Sequence, residues 1–537
     1  MKADNPYLSK TGDEFVVTEK GYAELEKMVT DSRGQVYAFT GTLSPVIVAA
    51  AMARLSRRAG DMRVAILDEF MLSDGREAEH LIQRVISQYG DDSVQQLVGI
   101  QFVVEGASNL LTKLLEWGRL AAYLEQSTRY IYFDKPDKDG MYRYFVPSDL
   151  HPSIGPFYVQ VMDQIFKNYS LMVHELTSYI RTKYPEPADP YERSAWIAST
   201  RAQACDAVRS VLPVATKSTV GIFASAQSAD SLIMHLLSDQ LPEARSVGEQ
   251  LLRELRKVIP AFLERTDVPD RGGAITAYRW ETRSKVRSFA RENLSFDVVP
   301  PSTADVRLVS YWPQNELDLI PEMLFEAGEP LPLQEIENQT KLWTSELRIA
   351  AFNAYVGERL NRRHRPGRAF EKAHFEWEIV GDYGTFRDLQ RHRIVDSWEW
   401  QRLGPELGYD VPALVTEAGL EGGFRKCFEL SLSLYAAMGD AGHKLEAQYA
   451  TLLGHRMRYR FLMNARAMFH FLELRTGPAG HPGYRKICNT MFDIFKGVYP
   501  KTGLAMRFVN QGEDPELARM AAELATQHRL VKLEGKT

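Results

Sequence analysis

The stretch LQRHRIVDSWEWQRLGPELGY, residues 389–409, sets Arg391, His392 and Arg393 side by side between Gln390 and Ile394. A guanidinium is permanently charged and planar, and its fork of N–H groups matches two oxygens of a phosphate or carboxylate. Imidazole adds a group whose charge is adjustable near neutral pH. The triplet suits a small anionic ligand, although in isolation a solvated or salt-bridged helix turn is the favoured reading. An earlier stretch of similar look, LEWGRLAAYLEQSTRY (115–130), lacks it and instead carries Glu125, Gln126, Ser127, Thr128 and Arg129 in a row. Ser127 by itself reads as a helix or turn cap, and Arg129 offers a further fork.

Positioning such side chains takes more than one compact core, and 537 residues imply two or more domains. With 45% hydrophobic and 25% charged residues the balance is that of a globular chain. A net charge of −5 and a pI near 6.2 argue against a general polyanion binder, so no nucleic-acid partner is expected. The basic runs NRRHRPGR (361–368) and HRMRYR (455–460) read as helix-face charge or contacts with acidic neighbours. Three cysteines without CxxC spacing support neither a disulfide framework nor a zinc site, and no metal is expected. The start MKADNPYLSK has no apolar signal-peptide core, and no run approaches the length of a membrane helix, so a cytoplasmic location is expected.

The chain repeats itself. MRVAILDEF (62–70) reads as a strand followed by helical AEHLIQRVISQYG, and VRLVSYW (306–312) reads as a strand followed by amphipathic NELDLIPEMLF. QQLVGIQFVVEGASNLLTKLLEWGRL (95–120) parallels FEKAHFEWEIVGDYGTFRDLQRHRI (370–394), each passing from strand-like alternation to helical spacing. DAVRSVLP (206–213) and EAQYATLLGHRMRY (446–459) each read as opening a long helix, and the tryptophans of FEWE and DSWEW read as packing between the halves. Two divergent copies of one α+β unit follow, joined where RTDVPDRGGAITAYRW and VVPPSTAD supply the Pro and Gly of a linker.

On these residues the sequence resembles the flavin-dependent thymidylate synthases, whose signature is Arg-His-Arg followed, ten residues after its first arginine, by Ser-x-Arg-Tyr. The two copies divide that signature. The first keeps Ser127-Thr128-Arg129-Tyr130 but reads Trp117-Gly118-Arg119 at the triplet; the second keeps Arg391-His392-Arg393 but reads Gln401-Arg402-Leu403-Gly404 ten residues on. The family's arginine before Leu-Pro survives as Arg209 in the first half, where the second has Gln448. Its Asn-x-Arg survives as Asn464-Ala465-Arg466 in the second half, followed by Arg475; the first half has Ser225-Ala226-Gln227 and Leu236.

The resemblance implies an active site between subunits, hence a pseudo-dimer of halves with one intact composite site. It assigns Glu125, Gln126, Ser127, Thr128, Arg129 and Arg209 to a nucleotide phosphate. Arg391, His392, Arg393, Asn464, Arg466, His470, Glu371 and Ser93 fall to the flavin, and Arg475 to the pyrimidine ring. Arg475, Arg391 and His392 are the implied catalytic residues. The implied reaction passes a one-carbon unit from methylenetetrahydrofolate to C5 of dUMP, with FAD as cofactor, NADPH as reductant and no cysteine nucleophile. Two departures stand out. Asp388 occupies a position where the family has Gln at the pyrimidine, so the nucleotide recognised is dUMP or another pyrimidine nucleotide. The family's Tyr-Gly-His-x-Ser-x-x-Glu-His becomes Tyr89-Gly90-Asp91-Asp92-Ser93-Val94-Gln95-Gln96-Leu97, and in the second half only Glu371 remains.

The expected fold is α+β: two homologous domains, each a mixed or antiparallel sheet packed with long helices. The expected boundaries are an N-terminal extension (1–35), a first repeat (36–265), a linker (266–304), a second repeat (305–511) and a helical tail (512–537). A homodimer, a pseudo-tetramer of repeats, is the implied assembly. The alternative function is a non-catalytic nucleotide- or flavin-binding regulator or scaffold.

Overall fold

The computed structural model describes residues 5–11, 14–55, 61–70, 92–295 and 305–512, with isolated positions between 517 and 529. The helix expected over 78–90 and most of the tail expected over 512–537 lie outside the described residues. Among the described residues nine strands form: β1 (Leu8–Thr11), β2 (Glu14–Val17), β3 (Gly99–Ser108), β4 (Ala121–Glu125), β5 (Lys217–Ser225), β6 (Val306–Trp312), β7 (His374–Asp382), β8 (Ser397–Trp400) and β9 (Arg456–Asn464). The fold is α+β, with antiparallel pairing in β1–β2, β4–β5 and β6–β7–β9–β8.

The chain divides into two compact units that interleave the repeats. One comprises Met1–Glu105, Leu114–Glu125 and Thr219–Asp297. Its three-stranded sheet has the order β3-β5-β4. The helix Ala226–Leu237 leaves β5 directly, its first turn capped by Ser225, whose hydroxyl accepts from the Ser228 N–H. Buried Leu232 and Leu236 on this helix, with Leu251, Leu252 and Leu255 on Pro242–Leu255, supply the core. Where MRVAILDEF reads as a strand, the structure has an α-helical turn at Met62–Ala65 and a π-helical turn at Ile66–Phe70. Ala65, Ile66 and Leu67 are buried in succession, and such a run does not separate a strand from a buried helix by periodicity. Within the stretch read as a linker, Gly272–Asn293 is a 22-residue helix.

The other unit comprises Gly106–Lys113, Gln126–Ser218 and Val298–Thr537, so it holds part of the first repeat together with the second. β7 and β9 alternate: Phe375, Trp377 and Ile379, with Met457, Tyr459, Phe461 and Met463, point into the core. On the outer face Arg458 pairs with Glu378 at 3.1 Å and Arg460 pairs with Glu376. HRMRYR is thus a strand with acidic neighbours, not a helix face. The tryptophans pack inside the second repeat rather than between halves: Trp398 lies on Phe461 and Phe386, and Trp400 on Phe386.

DAVRSVLP and EAQYATLLGHRMRY do not open helices. Arg209–Val211 and Glu446–Ala450 are 3-10 turns, followed by β5 and β9. Each turn is followed by a short extended stretch, and the two stretches pair reciprocally. Val214 N–H donates to Thr451 O at 2.8 Å, and Leu453 N–H donates to Leu212 O at 2.9 Å, around a bridge between Pro213 and Leu452. Leu212, Pro213 and Val214 correspond to Thr451, Leu452 and Leu453, so exchanging the two repeats turns each bond into the other, as across a two-fold axis. The approach is close: a Cβ on Gly454 would stand 2.9 Å from the Ser210 carbonyl oxygen.

Candidate functional site

The triplet is delivered by β7 and the short helix that follows. Asp382 ends the strand and caps the helix Tyr383–Gln390, accepting from the Thr385 N–H at 2.8 Å. All eight residues of this helix are buried, including Arg387 and Asp388. Arg391 stands at its C-cap, where a cation complements the helix dipole.

Asp388 is the centre of a buried cluster. One carboxylate oxygen accepts from Arg391 at 2.7 Å and the other from Arg209 at 3.1 Å. Arg209 is 3% exposed and Asp388 is 6% exposed. Burial alone would push the Asp388 carboxyl up, but Arg209, Arg391, Arg129 and Arg475 together hold it well below the usual carboxylate range. Arg129 makes a bidentate pair with Asp206, both contacts at 2.7 Å. Burial opposes the Arg129 charge, and Asp206 more than restores it. The Tyr484 ring lies 5.8 Å from Arg129 and 5.3 Å from Arg475, joining them by cation–π contact. First-repeat Arg129 and Arg209 therefore converge with second-repeat Arg391 and Arg475 within one compact unit.

A cleft of about 530 Å³ opens beside this cluster, lined by Arg365, Glu371, Arg391, His392, Arg393, Asn464, Arg466, His470 and Arg475 among others. Arg475 donates from Nε to His392 Nε2 at 2.7 Å, which fixes the imidazole as an acceptor at that nitrogen. Burial, then the Arg475 charge, holds His392 well below its ordinary value. The expectation of a charge adjustable near neutrality gives way: His392 stays neutral there. Asn464 spends its carbonyl as the N-cap of Ala465–Arg475, accepting from the Ala467 N–H at 2.8 Å. Glu371 is shared by Arg466 and Arg368, each at 3.0 Å. His470 is lowered, chiefly by burial.

The remaining residues fall elsewhere. Ser127 accepts from the Arg129 N–H at 3.1 Å, Gln126 pairs with Arg143 at 2.9 Å, and Thr128 is buried. Glu125 ends β4 and belongs to the first compact unit. Ser93 stands in the 3-10 turn Asp92–Leu97 of that unit, and its side chain lies outside the described residues, as do Tyr89, Gly90 and Asp91.

Sequence reasoning missed Asp206, Tyr484, His481 and Arg365. Asp206 lies three residues before Arg209, a spacing that hints at an acidic partner, although it pairs with Arg129. His481 is half-buried, 3.2 Å from the Asp206 carbonyl, and pushed down to about 4 by desolvation and by Arg209. Arg365 belongs to NRRHRPGR, which reads as surface charge. Among the described residues no group of His, Cys, Asp or Glu could hold a metal ion, and no helix is long and apolar enough to cross a membrane.

Five arginines line this cleft against one glutamate, a balance of charge that suits an anion, on an α+β frame of antiparallel sheets. The chain belongs to the thymidylate synthase complementing protein family, whose sequence pattern matches residues 40–261 and again 307–501. One match falls in each half, in agreement with the tandem duplication. A UPF0159 protein of Chlamydia muridarum is 30% identical over 96% of this chain and 99% of its own length. A UPF0159 protein of Thermoplasma acidophilum is 26% identical over 88% of this chain and 97% of its own. A flavin-dependent thymidylate synthase of Clostridium tetani is 23% identical over 33% of this chain and 66% of its own. A solved structure, the UMP/dUMP methylase PolB from Streptomyces cacaoi bound with 5-Br dUMP, is 18% identical over 38% of this chain and 93% of that one, at a TM-score of 0.30.

Proposed function

We propose that the chain is a flavin-dependent enzyme that transfers a one-carbon unit from methylenetetrahydrofolate to C5 of dUMP or a related pyrimidine nucleotide. NADPH is the proposed reductant. The observation that carries this reading is the convergence of Arg129, Arg209, Arg391 and Arg475 on one buried centre beside the cleft. Family membership and the Clostridium tetani relative supply the reaction class.

The cleft fits FAD by its chemistry: Arg391, Arg393 and Arg466 offer charge-assisted donors for a diphosphate or for ring oxygens, and Asn464 and His470 line the same wall. When bound, the flavin supplies the hydride. The residues of the chain bind and orient. Arg475, fixed between His392 and the Tyr484 ring, presents a permanent cation where negative charge develops on a pyrimidine oxygen. His392, held neutral, accepts from Arg475 and keeps that guanidinium in place. Two copies of the chain are proposed to associate into a pseudo-tetramer.

The test is a visible spectrum of the protein reconstituted with FAD and titrated with dUMP. A flavin spectrum that shifts saturably with dUMP, loses the shift in Arg391→Ala, and supports dTMP formation with methylenetetrahydrofolate and NADPH is the expected result. A saturable shift without turnover favours the regulator, and no flavin binding overturns the flavoenzyme.

A further inference from the structure

The cluster holds four guanidiniums, of Arg129, Arg209, Arg391 and Arg475, and two carboxylates, of Asp206 and Asp388. The carboxylates are not spectators. Asp206 fills the Nε–Nη2 edge of Arg129, and Asp388 takes one N–H from each of Arg209 and Arg391. A ligand oxyanion entering the cluster meets arginines that already hold an anion. Nε of Arg391 is meanwhile buried without a hydrogen-bond partner among the described residues, so this arginine's donors are not all spent on the protein.

We propose that Asp388 sets how tightly this cluster holds phosphate, as a resident anion that competes with ligand phosphate for Arg209 and Arg391. The identity of that ligand as a nucleotide rests on the function proposed above; the competition itself does not. Two like charges sharing one pair of guanidiniums repel strongly in a buried setting, so a phosphate monoester engages these N–H groups only by displacing the carboxylate. An uncharged amide there keeps the size and removes the competitor.

Inorganic phosphate is the probe, its affinity for the full chain read from the rise in Tm with phosphate concentration. Asp388→Asn is expected to bind phosphate at least about tenfold more tightly than the unaltered chain, because one repulsive charge is gone. Asp388→Glu, which keeps the charge, is expected to stay as weak as the unaltered chain. The amide variant loses a buried counter-ion and starts from a lower Tm, so recovery of that Tm by phosphate is a second expected sign. Equal or weaker phosphate binding by Asp388→Asn overturns the proposal. So does equally tight binding by Asp388→Glu. An amide variant that stays unfolded at every phosphate concentration also overturns it, since the carboxylate is then a counter-ion no ligand replaces. FAD and dUMP binding by the unaltered chain, measured in parallel, reports on the function separately: enhanced phosphate binding without either ligand leaves the competition standing and removes the enzyme reading.

Discussion

The helices Ala226–Leu237 and Ala465–Arg475 occupy matching places in the two repeats, and each reaches back to the segment matching the triplet. Both are capped by the residue that ends the preceding strand, Ser225 in one and Asn464 in the other. In the second repeat the contact is polar, from Arg475 to His392 at 2.7 Å. In the first it is an aromatic stack, Trp117 on His235, with ring centroids 4.3 Å apart and planes 4° from parallel. His235 is pushed down to about 3 by burial, then by Arg283 and Arg279. The scaffold of the contact outlasted its chemistry: capping and packing hold both helices, while the charges that would face a ligand remain in one.

Replacing each side of this comparison separates stability from activity. The largest expected effect is on Arg359, whose guanidinium forms a bidentate pair with Glu473 at 2.6 and 2.7 Å, the side chains 2% and 1% exposed. Glu473 has Met234 as its first-repeat counterpart, so this pair is private to the second repeat. Arg359→Met strands a buried carboxylate and is expected to cost about 3–5 kcal/mol in urea unfolding. An unchanged midpoint would contradict it.

Next in size, Arg475→Ala is expected to lower turnover by about 10²–10³-fold while leaving Tm nearly unchanged. Its counterpart Leu236→Ala is expected to do the reverse, costing about 2–5 kcal/mol of stability with little change in turnover. If both variants lose activity alike, the repeats have not divided their labour.

Acid should weaken the fold in a graded way. His235, His392, His455 and His481 are all lowered by burial in the folded state, with His455 and His481 pushed to about 4. Below the unfolded value near 6.5 the unfolded chain takes up protons that the folded chain refuses, so stability falls as pH drops from about 6.5 toward 4. Asp388, lowered instead, adds a further loss only below about 4, where the unfolded carboxyl protonates. A Tm flat from pH 7 to 4.5 would rule this out. The smallest effect expected is that of Trp117→Ala, which removes a half-exposed stack worth about 0.5–1.5 kcal/mol and should not touch turnover.

The cleft residues were legible through the family resemblance: Arg391, Asn464, Arg466 and Arg475 stand where its motifs place them, and all four line the cleft. Their supports were not. Asp206 is joined to Arg129 across 77 positions and Tyr484 to Arg475 across a loop and a helix start, and neither pairing leaves a periodic trace. HRMRYR reads as helix-face charge or as contacts with acidic neighbours; the second holds, and the first fails because Met457, Tyr459 and Phe461 alternate with the arginines at the two-residue period of a strand. The 62–70 run failed for the opposite reason, since uniform burial erases any period.

The reciprocal pairing around Pro213 and Leu452 bears on how such a chain can change over generations. When two identical copies meet on a two-fold axis, every substitution at the axis is felt twice, and a proline there would remove both amide hydrogens at once. Here Pro213 lacks its N–H while Leu452, opposite, donates to His455 Nδ1 at 2.9 Å. Fusion into one polypeptide has released the axis from self-complementarity, and it also makes the arrangement hard to reverse: neither half, cut free and doubled, carries a full set of these arginines.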